Sequence, residues 1–360
     1  MPRDKYIERL VTLLDPDQNV FLNATAEEAT TAVASGDTDQ IRALDGQFAL
    51  VYKEGQTVRM ARSIGRPMRY FLAKRAEGPC LVVAERIDEI QEFLEREGLS
   101  DQFHPSYTRM VPAHHVTELE LVGCPDPKPS YTRYFDPNQA TLPPDLDAIG
   151  KAYIGSLADE CQKWLGQVDD EAPIGVPFSG GIDSGSIFLV LHHLLLERGE
   201  APTRLKAFTL SVEGGSDVEQ AYKPLDVQAA TMPLALCRSI RERYPNWTYL
   251  VDGDGGDENL KDYPIDAYPE LTIRSVLNNQ MLYQEGWGVD ALKHSSTYSG
   301  GQSRGHVRSY APARHFDFQS FSPYTLPNMI EVAENIPFVE LTDWEPERLY
   351  QLKGEVVRRG

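Results

Sequence analysis

The sequence predicts a mixed fold class, in which a β-rich α+β domain precedes an α/β domain built on a parallel sheet. Its length of 360 residues exceeds the usual size of one hydrophobic core, which favours two domains. Up to about residue 135 the apolar runs are short and alternating, whereas later runs alternate with segments of helical spacing. Residues 136–147 hold three prolines among Asp and Asn, which is typical of a linker. We therefore place the domains at residues 1–138 and 145–360.

Short strands dominate the first predicted domain. GQFALVYKEG followed by QTVRMARS predicts a hairpin that turns around Lys53, Glu54 and Gly55. Further strands are predicted by the runs YFLAK, CLVVAE and HVTELELVG.

Strands and helices alternate in the second predicted domain. A helix is predicted over residues 148–166 by the spacing of Ile149, Tyr153, Leu157 and Cys161. The predicted strands are residues 174–178, 205–212 and 247–251. Helices are predicted behind the first strand and around PLALCRSIRER, and this order implies a parallel sheet with crossover helices. Pro177 cannot donate to a ladder, so we expect its strand pairing to be local or offset.

Composition opposes several classes of partner. The chain holds 54 acidic and 35 basic residues, and its formal net charge of −19 repels nucleic acid. No stretch approaches the roughly 18 apolar residues of a membrane span, and the start lacks a signal-peptide core, so we expect a cytoplasmic protein. The cysteines form no Cys-x-x-Cys pair, which argues against a zinc site or a disulfide framework. They are Cys80, Cys124, Cys161 and Cys237.

GVPFSGGIDSGS, residues 175–186, joins a predicted strand to a predicted helix. Backbone N–H groups and a helix N-terminus at one point suit an anion, above all a phosphate. A Walker loop is disfavoured, since Ser186 stands where its lysine belongs. A serine-protease nucleophile at Ser184 is also disfavoured, because the sequence shows no base beside it. A plain glycine turn would explain Gly180 and Gly181 but not the acid and the hydroxyls beside them.

A second polar loop, LVDGDGGDENL (250–260), crowds acids after another predicted strand. Like charges at this density predict a cation nearby, although a solvated acidic turn is the simpler alternative. An EF-hand is excluded, because counting from Asp252 its sixth and twelfth positions are Asp257 and Tyr263. Mg²⁺ bound with ATP fits better, since Mg²⁺ takes one or two carboxylates plus phosphate oxygens, and we predict Asp183 and Asp257 as that pair.

The two loops resemble known motifs. SGGIDS resembles the Ser-Gly-Gly-x-Asp-Ser signature of the ATP pyrophosphatases, and GDGGDE resembles the Gly-Glu-Gly-x-Asp-Glu segment of asparagine synthetases. The resemblance implies an ATP pyrophosphatase domain of the adenine nucleotide alpha hydrolase-like type, with Mg²⁺ on Asp183 and Asp257 and catalytic roles for Asp254 and Asp257. The implied ATP and pyrophosphate ligands are Ser179, Gly180, Gly181, Asp183, Ser184, Leu210 and Gly253.

The first domain resembles the glutaminase domain of asparagine synthetases, which is a sandwich of the N-terminal-nucleophile (Ntn) type. LDGQFALVY, MARSIGRPMRYFLA, VVAERIDEI and MVPAHHVTEL are similar to its successive segments. That glutaminase uses an N-terminal cysteine, whereas this chain begins Met1-Pro2. The resemblance therefore implies a degenerate, Ntn-like sandwich remnant that does not hydrolyse glutamine, as in β-lactam synthetase.

Together these resemblances imply an ATP-dependent amide ligase that releases AMP and pyrophosphate through an acyl-adenylate, like β-lactam and carbapenam synthetases. Its partners would be a small-molecule carboxylate and an amine, with ATP and Mg²⁺ as cofactors, and a homodimer is allowed. The alternatives are asparagine synthesis with ammonia or a partner's glutaminase, and a non-catalytic nucleotide-binding subunit. A tRNA-modifying enzyme is opposed by the net charge of −19.

Several other residues receive no catalytic role. The family's lysine for the second half-reaction lies on a flexible loop, whereas Lys353 falls on a predicted helix, so that role is not assigned to it. The pairs His114-His115 and His192-His193 are expected to be structural. Loop 296–305 is a candidate lid. Three arginines are expected to pair with surface acids, namely Arg62, Arg66 and Arg69.

Overall fold

The computed structural model of the chain describes residues 9–122, 128–210, 225–261 and 308–360, with the backbone alone for 225–230. The described residues divide into two compact units, one that includes those up to Asp136 and one that includes those from Pro137 onward. No helix in these ranges is long and apolar enough to cross a membrane.

The first unit is rich in strands, and the second alternates strands with helices. The first unit contains β1 (Arg9–Thr12), β2 (Val20–Phe21), α1 (Ala26–Ser35), α2 (Thr38–Arg42), β3 (Gly46–Gln47), β4 (Ala49–Glu54), β5 (Thr57–Arg62), β6 (Arg69–Arg75), β7 (Gly78–Ala84), α3 (Ile87–Arg96), β8 (Arg109–Met110), β9 (His115–Glu120) and β10 (Ser130–Arg133). The second contains α4 (Leu146–Leu165), β11 (Ile174–Pro177), α5 (Ile182–Glu197), β12 (Leu205–Phe208), α6 (Leu225–Arg243), β13 (Tyr249–Val251), α7 (Gly256–Asn259), α8 (Tyr310–His315), β14 (Gln319–Phe321), α9 (Pro327–Glu334), α10 (Phe338–Thr342) and α11 (Pro346–Arg359).

Two four-stranded sheets form a sandwich in the first unit. Their strand orders are β1-β7-β6-β8 and β10-β9-β5-β4. Alternate side chains of both sheets meet in one buried core, with Met60 on β5 and Leu81 on β7 among them. The predicted hairpin is confirmed, because β4 and β5 pair antiparallel from Ala49 opposite Arg62 to Glu54 opposite Thr57.

Helices pack against both sheets of this sandwich. On β7 the side chains that alternate with the core, such as Val82, face Ile90, Phe93 and Leu94 of α3. Helix α1 packs against β4 and β5. The first unit is therefore a β-rich sandwich with helices on its sheets.

Three arginines of the first unit were expected to pair with surface acids. Arg62 and Arg66 are buried. The Nε of Arg62 donates to the carbonyl of Val111 at 2.6 Å, and Arg66 forms an ion pair with Glu85 at 2.7 Å. Half-buried Arg69 donates to the backbone carbonyl of Glu85 at 2.5 Å. The expectation is wrong for Arg62 and Arg66, because backbone carbonyls and one enclosed carboxylate compensate these charges inside the unit, whereas Arg69 also interacts with the charges of Asp88 and Glu89.

The second unit contains the predicted parallel sheet. All its strand pairs are parallel, in the order β12-β11-β13-β14. Pro177 is the last residue of β11, and the next residue, Phe178, donates its N–H to the carbonyl of Phe208 at 2.7 Å. The proline therefore interrupts no ladder, and β11 pairs with β13 only through Ile174 and Gly175.

Two long helices of the second unit lie against each other. The predicted buried stripe of α4 is confirmed, since its members are all fully buried, namely Ile149, Tyr153, Leu157 and Cys161. Helix α11 approaches α4 so closely that a Cβ on Gly150 would lie 2.6 Å from the carbonyl of Val356. This contact fixes the position of α11, which matters for the site below.

Three of the four cysteines lie within the described residues. Cys80, Cys161 and Cys237 are free and buried. Cys124 and the candidate lid 296–305 lie outside the described residues, as does the end of the strand predicted over 205–212, of which β12 covers 205–208.

Candidate functional site

The loop after β11 presents a helix N-terminus to solvent. Ser179, Gly180 and Gly181 are exposed, and α5 begins at Ile182 with Gly181 as its N-cap. Gly180 has a φ of +82°, a left-handed conformation that favours glycine. Since the first N–H groups of a helix have no acceptor within the helix, this end of α5 is suited to bind an anion.

Two hydroxyls hold the loop in this shape. The N–H of Ser179 donates to Oγ of Ser184 at 3.2 Å, and the two hydroxyl oxygens lie 3.1 Å apart. The N–H of Gly181 donates to Oγ of Ser179, also at 3.2 Å. Ser179 and Ser184, which were predicted as phosphate ligands, therefore also shape the loop that would receive the phosphate.

The neighbouring loop after β13 is tied to β14 through Asp252. This buried carboxylate accepts hydrogen bonds from the hydroxyls of Ser320 at 2.7 Å and Ser322 at 2.6 Å. It also accepts from the N–H of Asp254 at 3.1 Å. Asp252, which was not assigned to the metal, is thus satisfied by neutral donors.

Glycines allow the two loops to touch. A Cβ on Gly253 would lie 3.2 Å from the Cβ of Asp183 and from the backbone N of Ser184. A Cβ on Gly256 would lie closer to the Asp183 carboxyl carbon than real Cβ atoms ever approach another atom. The carboxyl group of Asp183 therefore sits directly against the backbone that begins α7, in space that a side chain would fill.

The predicted pair Asp183 and Asp257 meets at one ammonium group. Nζ of Lys353, on α11, donates to Oδ2 of Asp183 at 2.7 Å and also to Oδ1 of Asp257. The Lys353 side chain is 6% exposed, that of Asp183 17% and that of Asp257 41%. The cluster is thus buried on the lysine side and open to solvent on the side of Asp257.

Burial and charge shift the pKa values within this cluster. Burial raises the pKa of the Asp183 carboxyl to about 7, against the opposing effect of the Lys353 charge. Burial lowers the pKa of the Lys353 ammonium, but the charges of Asp183 and Asp257 outweigh it and leave that pKa raised. The lysine therefore stays charged at neutral pH.

Asp254 lies in the same loop with different partners. Its Oδ2 accepts the N–H of Ser309 at 2.6 Å, and its Oδ1 lies 3.3 Å from the Ser309 hydroxyl. Burial and then the Asp252 charge raise the pKa of Asp254 well above its usual value. Asp254 is therefore a protonatable group in the same loop as Asp257.

The end of β12 lies beside the start of the loop that follows β11. The hydroxyl of Thr209 donates to the carbonyl of Phe178 at 2.9 Å, which ties this strand end to the start of the SGGIDS loop. Leu210, a predicted nucleotide contact, follows directly and is partly buried. The carboxyl ends of β11, β12 and β13 thus lie together, which is where open parallel sheets bind ligands.

Lys353 is the residue of this cluster that the sequence predictions did not assign. It lies on the buried side of α11 with Leu349, Leu352 and Val356. A lysine within such an apolar stripe was the available signal, because lysine is almost never fully buried unless it is paired.

The donor set is compatible with Mg²⁺. No group of three or more His, Cys, Asp or Glu side chains arranged to hold a metal occurs among the described residues. Mg²⁺ does not require one, since it is usually bound by one or two carboxylates plus phosphate oxygens and water. Asp183 and Asp257 already share a cation in the form of the Lys353 ammonium.

Comparisons with known proteins give little guidance. No family model matches the sequence. No curated protein matches it with significance. A solved structure described as the allosteric regulatory enzyme of purine biosynthesis is similar at 10% identity and a TM-score of 0.21, over 82% of this chain and 62% of that enzyme's length. A likeness this weak supports no statement about fold or function.

Proposed function

We propose that the second unit binds ATP with Mg²⁺ at the loops that follow β11 and β13. One observation supports this most directly: two loops from neighbouring parallel strands bring Asp183 and Asp257 to a shared cation. The exposed N-terminus of α5 and the hydroxyls of Ser179 and Ser184 would bind the phosphates beside that cation.

Mg²⁺ would be held by Asp183 and Asp257. When bound, it would neutralise negative charge that develops on the departing phosphates. Because Gly256 has no Cβ, the Asp183 carboxyl can lie directly against the α7 backbone. The orientation of this carboxyl is therefore set before the ligand binds.

The proposed reaction is ATP-dependent amide formation, an assignment that rests on the resemblance of SGGIDS and GDGGDE to the synthetase motifs. A substrate carboxylate oxygen attacks the α-phosphorus of ATP, the bond to the β-phosphate oxygen breaks, and pyrophosphate leaves. An amine nitrogen then attacks the carbonyl carbon of the acyl-adenylate, and AMP leaves with the bonding electrons. The amine loses a proton, and the ionised carboxylate of Asp254 is the candidate to accept it, because a raised pKa makes this carboxylate a stronger base.

Release of AMP from labelled ATP tests this proposal. The protein is incubated with Mg²⁺ and ATP labelled at the α-phosphate, together with pairs of small carboxylates and amines. We expect AMP only when a suitable carboxylate is present, and an amide product visible by mass. Asp183→Asn should lose roughly a hundredfold or more of the rate.

Lys163→Gln is the matched control, because Lys163 forms an ion pair with Glu160 on α4 and lies outside the two loops. It should retain the rate. Product formation from aspartate and ammonia would identify asparagine synthesis. ATP binding without AMP release across the panel would favour a non-catalytic nucleotide-binding subunit, and failure to bind ATP would contradict the proposal.

A further inference from the structure

The Lys353 ammonium occupies the place between two carboxylates that the proposed function gives to a divalent cation. It bonds both Asp183 and Asp257, and its side chain is almost completely enclosed. We propose that Lys353 is an internal counterion that competes with the divalent cation for these carboxylates, so that metal binding and departure of the ammonium are one exchange. This inference rests on the metal site of the proposed function.

Charge prevents both cations from sharing the pair in its present geometry. An ammonium and a divalent ion that contact the same two carboxylate groups would lie a few ångströms apart, where their repulsion is strong in a partly buried site. The ammonium also has three N–H donors, two of which are directed at Asp183 and Asp257. Removing those bonds frees the oxygen atoms that a metal would use.

The exchange involves the lysine side chain and not its helix. Leu349, Leu352 and Val356 are buried on α11, and the helix packs closely against Gly150 of α4, so this packing holds its backbone in place. The flexible four-carbon stem of lysine allows Nζ to move while the backbone stays in place. Solvent reaches the cluster at Asp257, which is the open side for an incoming ion.

This competition has a functional consequence. Without metal, the Lys353 ammonium offsets one negative charge of the carboxylate pair, so a free divalent ion gains less by binding. A divalent ion that arrives with ATP brings phosphate oxygens as additional ligands, and the displaced ammonium gains a polyanion beside it. The lysine therefore selects the metal–nucleotide complex over the free metal.

Mn²⁺ binding to the nucleotide-free protein tests the inference, since free Mn²⁺ is counted directly by electron paramagnetic resonance. We expect Lys353→Gln to bind Mn²⁺ about tenfold more tightly than the unchanged protein, a typical size for coupling between two ligands. Lys353→Arg keeps the positive charge and should bind weakly, as should Lys163→Gln, which removes one charge elsewhere in the same unit. Equal or weaker binding by Lys353→Gln would overturn the inference.

A second measurement needs no variant and so avoids the risk that a substitution prevents folding. In the unchanged protein, acylation of the Lys353 amine is followed by mass spectrometry as Mn²⁺ is added. The amine should become several-fold more reactive when Mn²⁺ saturates the site. The inference would also be overturned if the reactivity of the Lys353 amine stayed constant at saturating Mn²⁺. It would equally be overturned if Mn²⁺ never saturated the unchanged protein and Lys353→Gln did not bind Mn²⁺ either.

Calorimetry with the Mn²⁺ complex of a non-hydrolysable ATP analogue separates this inference from the proposed function. If the unchanged protein binds that complex and Asp183→Asn does not, the metal site stands whatever Lys353 does. If the complex does not bind at all, the proposed function fails first.

Discussion

Two buried charge clusters, one in each unit, differ in how far they are open to solvent. In the first, Arg66 and Glu85 form an ion pair at 2.7 Å with side chains only 1% and 2% exposed. In the second, Lys353 contacts Asp183 and Asp257, and the latter is 41% exposed. An enclosed pair has no ligand within reach and can serve only the fold, whereas a pair with one open side can exchange partners. Exposure, more than the presence of buried charge, thus identifies the candidate site.

Breaking the enclosed pair should have the largest effect. Glu85→Gln keeps the side-chain shape but removes the carboxylate charge that pairs with the buried Arg66 guanidinium at 2.7 Å. We expect a loss of about 3 to 5 kcal/mol in the free energy of unfolding, the usual cost of removing one partner from a buried pair. Urea denaturation followed by circular dichroism measures it.

The control for this prediction is the same substitution at a half-exposed pair of the same unit. Glu118 pairs with Arg59 at 2.7 Å across β9 and β5, and its side chain is 44% exposed. Glu118→Gln should cost about 1 kcal/mol at most, because solvent screens the pair. Equal losses at Glu85 and Glu118 would show that exposure does not separate the two kinds of ion pair.

A buried histidine extends the contrast to pH. His115 on β9 is buried, one ring nitrogen hydrogen-bonds the carbonyl of Ala113 at 2.8 Å, and burial lowers its pKa from 6.5 to about 4. The folded protein keeps the ring neutral while the unfolded chain binds a proton below pH 6.5. This contribution to stability is therefore complete above that pH and decreases as the pH falls toward 4.

Between pH 7 and pH 5 the histidine should account for about 2 kcal/mol of lost stability. Because other groups titrate in this range, the measurement compares the unfolding free energy of the unchanged protein with that of His115→Gln at both pH values. The difference between them should shift in favour of the variant at pH 5. A difference that does not depend on pH would mean that His115 titrates alike in both states.

Much of the architecture was predictable from local pattern. The hairpin of β4 and β5, the buried stripe of α4 and the parallel order around β11 follow from periods of two and 3.6 residues, which one sequence displays directly. The arginines were not predictable in this way. Arg62 and Arg66 are compensated by groups distant in sequence, such as the carbonyl of Val111, and pattern alone cannot show such contacts.

The site shows the same division. Asp183 and Asp257 were predicted as a pair from the ligand preference of Mg²⁺ and from the resemblance of their two loops to the synthetase motifs, and both loops follow strands of one parallel sheet. Asp252 lies in the same acidic loop as Asp257, yet the hydroxyls of Ser320 and Ser322, which lie 68 and 70 residues further along the chain, hydrogen-bond it. Lys353 was missed because its role depends on how α11 packs against α4, a tertiary contact that sequence spacing does not give.

Two glycines of the second unit test how strictly the open cluster depends on its shape. A Cβ on Gly256 would collide with the Asp183 carboxyl, whereas a Cβ on Gly185 would meet nothing within 4 Å. Gly256→Ala should therefore lower the free energy of unfolding by roughly 1 to 2 kcal/mol. It should also weaken binding of the Mn²⁺ complex of an ATP analogue, because Asp183 has to move.

Gly185→Ala, within α5, should raise stability by about 0.5 to 1 kcal/mol through helix propensity. If both substitutions change stability alike while binding stays constant, the Asp183 carboxyl is not held by the α7 backbone, and the cluster is more adaptable than the enclosed pair of the first unit.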